Sequence, residues 1–219
     1  MSSAGGFLYP MLDQQEQTDP ASVLADLSRS ARAKATESAL LRTQTLLALA
    51  DELDRAAAAM AAAFAAGGRL FCFGNGGSAT DAAGLAALFA SPAHGRALPA
   101  RSLSSDPAVL TALANDVGVE VVFARQLIAH GRTGDIALGL STSGGSANVL
   151  RAFAEARRRG LLTVGLAGYG GGAVGTSPDV AHCLAVDAQS VHRTQEVQSA
   201  VVHALWERVQ ARLEQAELS

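Results

Sequence analysis

"RLFCFGNGGSATDAAGLAALFA" (residues 69–90) reads as a strand, a tight loop and a helix in direct succession. Residues 70–73 form a short apolar run, and the glycine- and serine-rich turn 74–78 follows it. Free N–H groups at the start of the next helix favour a negatively charged group in such a loop. After Asp81 that helix is almost wholly apolar, so the loop predicts binding while the source of any chemistry stays open.

The same pattern recurs downstream. Residues 135–140 read as a strand, "STSGGS" (141–146) as a loop, and residues 147–159 as a helix ended by Gly160. Between the two units lie the connection "SPAHGRALPA" (91–100), a short strand at 101–103, and a helix opened by Asp106 as N-cap with Pro107 at its first position. A further helix is expected over about 119–130 after Gly118. Strands at 162–166 and 180–186 follow, with "AGYGGG" (167–172) as a loop. A closing helix over about 191–213 carries Val197, Val201, Leu205 and Val209 on one stripe. Residues 23–66 are helical in pattern, with Leu40, Leu47, Leu53, Met60 and Phe64 as the apolar positions and Gly67–Gly68 as the stop.

Continuously apolar strands separated by helices predict an α/β fold, a parallel sheet covered on both faces. Ligands in such folds sit at the carboxyl ends of the strands, where strand order reverses. Both glycine–serine loops lie at carboxyl ends.

At 219 residues the chain suits one domain with an added helical arm. The expected boundaries are an arm over 1–34 and a single domain over 35–219. A net charge of -3 gives no electrostatic support for non-specific nucleic-acid binding. Cys72 and Cys183 sit inside apolar runs and read as buried small hydrophobes rather than a disulfide. The window 39–66 is broken by Arg42, Asp51, Glu52, Asp54 and Arg55, which makes it amphipathic and not a membrane span. No signal peptide is visible, and a soluble cytoplasmic protein is expected. "GGFLYPML" (5–12) is apolar enough that Phe7, Leu8 and Tyr9 are expected to dock, on this subunit or a neighbour.

The loop 74–78 is not a Walker A loop, because no Gly-Lys-Ser/Thr ending follows. It matches G-x-G-x-x-G/A through Gly74, Gly76 and Ala79, but no acidic residue closes a second strand at the usual distance. The second loop is more telling. Ser141, Thr142, Ser143 and Ser146 place four hydroxyls in six positions before a helix, whereas a plain N-cap needs only one. Such a cluster suits a phosphate cradle, strengthened by the helix dipole.

Four blocks, "GNGGSATDA", "SDPAVLTALANDVG" with "VFARQL", "GDIALGLSTSGGSANVLRAFAEARRRG" and "VHRTQEVQSAVVHAL", resemble the signature blocks of the sedoheptulose-7-phosphate isomerases, members of the SIS (sugar isomerase) superfamily. The resemblance covers about residues 35–213; "GGFLYPML" is not part of it. It implies a three-layer flavodoxin-like SIS domain with a five-stranded parallel sheet, and a homotetramer with sites between subunits. It implies that the loop Ser141, Thr142, Ser143 to Ser146 takes the phosphate. Asn75, Gly76, Gly77 and Ser78 of the first loop, with Asp106 and Gln195, would then contact the sugar. Asp106 reads equally well as a helix cap.

Ketose–aldose isomerisation needs a base and an acid–base partner for the oxygens. In the family, the helix after the first loop carries a histidine and, one turn on, a glutamate that serves as base and metal ligand. Here the matching positions are Gly84 and Leu88, and neighbouring Ala87 supplies no acid. Gln195 and His203 match the family's glutamine and catalytic, metal-binding histidine, eight residues apart on nearly one helix face. His203 also reads as an ordinary core histidine. With two matching donors, one an amide, no tightly bound zinc is expected, although the family implies it. Glu196 reads as an ion-pair or capping residue. His192 stands where the family often has an acid, and His94, His130 and His182 read as structural.

Three functions follow as expectations. The first is a phosphosugar-binding protein with isomerase chemistry altered or lost, needing no nucleic acid or membrane partner. The second is a working sugar-phosphate isomerase using His203 and another acid. The third is a non-catalytic tetrameric adaptor, resembling the DnaA initiator-associating proteins.

Overall fold

The computed structural model describes residues 20–188 and 190–217. The apolar segment 5–12, and the docking expected of Phe7, Leu8 and Tyr9, lie outside the described residues. The described contacts divide the chain after Leu41.

The long helical segment is two helices, α1 (Pro20–Ala48) and α2 (Ala50–Ala65), separated at Leu49. The expected stripe also divides. Leu40 and Leu47 belong to α1, and Leu53, Met60 and Phe64 form a second face, on α2. Burial goes with the second face: Leu53 is 0 % exposed and Leu47 is 74 % exposed.

Five strands form one sheet: β1 (Leu70–Gly74), β2 (Ala100–Ser102), β3 (Ile136–Ser141), β4 (Leu162–Ala167) and β5 (His182–Ala185). All pairings are parallel, in the order β2-β1-β3-β4-β5. The helices are α3 (Gly77–Ala90), α4 (Pro107–Val117), α5 (Val122–His130, preceded by a 3-10 turn at Val119–Val121), α6 (Ala147–Arg158), α7 (Gly172–Thr176) and α8 (Val191–Glu217). Residues 169–176, read from sequence as part of a glycine loop and the connection after it, thus form a 3-10 turn and the short α7.

Every residue of β1 and β3 is buried, as strands covered on both faces require. Phe73 centres the core, its ring 5.4 Å from that of Phe123 and 5.5 Å from that of Phe153. Asp135 anchors the amino end of β3. Its carboxylate accepts from the Arg69 guanidinium at 2.7 Å and from the backbone N–H groups of Arg69 and Arg132 at 2.8 and 2.9 Å. Burial alone would raise this carboxyl's pKa; the bonds from Arg69 and Arg132 outweigh burial and hold it below the usual range. Cys72 is buried and Cys183 half-buried, both free thiols, with pKa values raised by burial and, for Cys183, by the Glu52 charge as well. Among the described residues, no helix is long and apolar enough to cross a membrane.

Candidate functional site

Because β2 and β3 lie on opposite sides of β1, the connections leaving β1 and β3 run to opposite sides of the sheet. The loops leaving β1 and β3 therefore part at their carboxyl ends and open a crevice between them. Gly74 pairs with Leu140 in register, so both loops start at one level. The two glycine–serine loops leave the sheet from these adjacent strand ends.

The first loop enters α3 through Gly76 as N-cap, at φ 55°, a left-handed conformation that favours glycine. Gly77 lies against the side chain of Gln195. A Cβ there would lie 2.1 Å from Nε2 of Gln195, so a larger residue would have to displace that amide. Asn75 donates to Oδ1 of Asn148 at 2.8 Å and accepts from its amide at 2.9 Å, which ties the first loop to the start of α6. Ser104 donates to the carbonyl of Gly74 at 3.0 Å and ties it to the segment after β2. Ser78 is buried in the first turn of α3.

In the second loop the hydroxyls converge on one another. Oγ of Ser141 lies 2.9 Å from that of Ser146 and 3.5 Å from that of Ser143. Ser143 also accepts from the N–H of Gly145 at 3.2 Å. Ser146 occupies the N-cap position of α6, yet its side chain makes no capping hydrogen bond. An ordinary cap would bond the second or third N–H of the helix. The hydroxyl cluster instead leaves the first turn of α6 open to an anion, where the helix dipole favours one. Thr142 is half-buried between Ser141 and Ser143.

Asp106 stands apart from these contacts. It caps α4 by accepting from the N–H groups of Ala108 and Val109 at 2.9 and 3.1 Å. A hollow of about 260 Å³ lies between Asn75 and Ser104 on one side and α4 and α5 on the other.

A larger hollow, about 460 Å³, lies between α3 and α8. Asp81, Gly84 and Leu88 line it from α3, Gln198 and His203 from α8, and Leu140 from the end of β3. His203 is exposed at its rim and rests against Trp206, ring centres 5.9 Å apart, so it is not the core histidine it could have been. Gln195 donates to Oδ2 of Asp81 at 3.4 Å. Burial raises the pKa of Asp81, and the bond from Gln195 partly offsets it.

Gly84, Leu88 and His203 share the lining of this hollow, whereas Gln195 lies beside it, against Gly77 and Asp81. Asp81, Asn148 and Gln198 were not singled out from sequence. The available signal was spacing: Asp81 precedes Gly84 by three and Leu88 by seven, on one helical face.

Among the described residues no three histidine, cysteine, aspartate or glutamate side chains gather as a metal-binding group. Around His203 the α3 side contributes one carboxylate, Asp81, while Gly84 and Leu88 carry no donor atom. Of the remaining histidines, His182 bonds Glu52 at 2.8 Å, His94 meets Trp206 edge-on at 5.0 Å, the carbonyl of His130 accepts from Arg69, and His192 is exposed at the start of α8. Arg193 pairs with Glu196 at 2.9 Å.

A family model described as the SIS domain matches residues 35–168. The phosphoheptose isomerase of Roseiflexus sp. is 46 % identical over 154 residues, spanning 68 % of this chain and 76 % of that protein. The phosphoheptose isomerase of Chlorobaculum tepidum is also 46 % identical, over 164 residues, spanning 73 % of this chain and 78 % of its own. Among solved structures, phosphoheptose isomerase from Neisseria gonorrhoeae superposes with a TM-score of 0.78 at 32 % identity, over 84 % of this chain and 99 % of that one. The chain belongs to the SIS-domain family and, within it, to the phosphoheptose isomerases.

Proposed function

We propose that this protein binds a sugar phosphate, with the phosphate on the loop Ser141–Thr142–Ser143–Ser146 and the sugar on Asn75, Gly76, Gly77, Ser78, Asp106 and Gln195. Its ketose–aldose isomerase chemistry is altered or lost, because Gly84 and Leu88 stand where the family's histidine and glutamate would act. No tightly bound zinc takes part. The observation that carries the reading is Ser146, placed as a helix cap but bonded to Ser141 and not to the backbone. Three hydroxyls gathered ahead of the first N–H groups of α6 have the chemistry that suits phosphate oxygens. We place this in a cytoplasmic homotetramer with residues 1–34 as an arm and 35–219 as the SIS domain.

One observation favours a second reading, a working isomerase. Asp81 shares the α3–α8 hollow with His203, and burial raises its pKa toward the range useful in a general base. Incubation with sedoheptulose 7-phosphate separates the two. The binding reading expects no aldose product beyond that of His203→Ala; product formation abolished by His203→Ala or Asp81→Asn would establish the second reading instead.

A further inference from the structure

We propose that the segment after β4 (residues 168–174) holds the serine loop (141–146) in its anion-binding shape, and that Gly168 is the positioning residue through which it acts. The inference deepens the sugar-phosphate reading and rests on it for the identity of the anion.

Four successive carbonyls of the serine loop lie against this segment. The carbonyl of Ser141 accepts from the N–H of Gly168 at 3.2 Å, and that of Gly144 from the N–H of Val174 at 2.9 Å. Between these bonds the two backbones touch directly. A Cβ at Gly168 would lie 2.3 Å from the carbonyl oxygen of Thr142, and one at Gly172 would lie 2.7 Å from that of Ser143. In both places a side chain would have to displace backbone. A trans peptide sets each N–H opposite the preceding carbonyl. Turning the carbonyls of Ser141 and Thr142 toward Gly168 therefore turns the N–H groups of Thr142 and Ser143 to the β1 side, where the first loop begins.

Gly168 is also confined from behind. Its Cβ would lie 2.6 Å from Cγ2 and 3.0 Å from Oγ1 of Thr194, in the first turn of α8. Thr194 is 0 % exposed and its hydroxyl has no hydrogen-bond partner among the described residues, so its contribution there is packing. Tyr169, next in the chain, takes φ 50°, a conformation that a tyrosine adopts only where its surroundings impose it. Gly168 itself has φ -97°, which alanine tolerates, so an alanine there tests contact and not backbone strain.

The test compares Gly168→Ala with Gly168→Ala/Thr194→Ala in the full chain. Gly168→Ala should melt at least about 5 °C below wild type, because the added methyl is overpacked on both sides. Thr194→Ala makes room on the α8 side without breaking a hydrogen bond, so the double variant should recover most of that loss. The contact with Thr142 remains. The double variant should therefore still bind inorganic phosphate at least about tenfold more weakly than wild type, the scale of one hydrogen bond to a charged group. Gly175→Ala, in α7, would add a Cβ with ordinary contacts at 3.7 and 3.8 Å and should bind phosphate as wild type does. Phosphate affinity restored together with the melting temperature would show that Gly168 serves stability alone, and would overturn the proposal. Hydrogen exchange on wild type decides the matter without a variant. Saturating inorganic phosphate should slow exchange of the Gly168 and Val174 N–H groups at least about tenfold, and unchanged rates would overturn the proposal. Ser143→Ala/Ser146→Ala separates this inference from the phosphate reading. If the serine variant loses phosphate and the Gly168 variants keep it, this inference fails and the phosphate reading stands. Phosphate binding that is absent from wild type, or indifferent to both serines, removes both.

Discussion

Gly84→His combined with Leu88→Glu should give this protein a zinc site. The histidine has room, because a Cβ at Gly84 meets nothing within 4 Å. Replacing a mid-helix glycine gains about 0.3 kcal/mol of helix propensity. Leu88 is half-buried, so making it a glutamate costs about 1 kcal/mol, part of the 1.5–3 kcal/mol for a fully buried leucine. The net penalty, under about 1 kcal/mol, is small beside the 5–15 kcal/mol typical of folded domains. The new imidazole and carboxylate, one turn apart on α3, would face His203 across the hollow, with Gln195 just over two turns away on α8. At a zinc concentration about 100 times Kd, binding stabilises by about 2.7 kcal/mol, a rise in Tm of about 5–10 °C. Metal analysis after dialysis, with melting curves in the presence and absence of zinc, measures this. The account expects one zinc per chain in the double variant and none once His203→Ala is added. A folded double variant that binds no zinc would refute the reasoning, since α3 and α8 would not then present these positions to one metal.

Asp135→Asn should destabilise the fold by about 2 kcal/mol in urea denaturation at neutral pH, below the 3–5 kcal/mol of a fully buried pair because the Arg69 side chain is 34 % exposed. Since the folded pKa of Asp135 is depressed, its contribution is present above the unfolded value of about 3.9 and is lost as pH falls through the folded value; the variant should converge on wild type there. Asp81→Asn should act with the opposite sign. The raised folded pKa makes the charged carboxyl unfavourable, so the variant should be the more stable near neutral pH, and the difference should fade as pH falls to the ordinary carboxyl range. Asp106→Ala should cost about 1 kcal/mol through loss of the α4 cap, read by the same denaturation series.

The parallel sheet was legible because its central strands are continuous apolar runs, a pattern that helix faces and half-exposed strands do not produce. The serine loop was legible for a similar local reason, four hydroxyls within six residues. What the sequence concealed is tertiary. Asn75 meets Asn148 across 73 residues and Asp81 meets Gln195 across 114, and no periodicity within either helix announces such pairs. The break at Leu49 was hidden because neither glycine nor proline marks it. Asp81 was noticed only as the end of polar character in α3; its position relative to Gly84 and Leu88 acquires meaning once α8 covers that face.

The central claim is that the serine loop still binds the phosphate of a sugar whose isomerisation the chain no longer supports in the family's way. Calorimetric titration of sedoheptulose 7-phosphate into wild type and into Ser143→Ala/Ser146→Ala tests it most directly. The account predicts saturable binding to wild type that the double variant loses, with no aldose recovered from the cell. Equal binding to both proteins, or none to wild type, would contradict it.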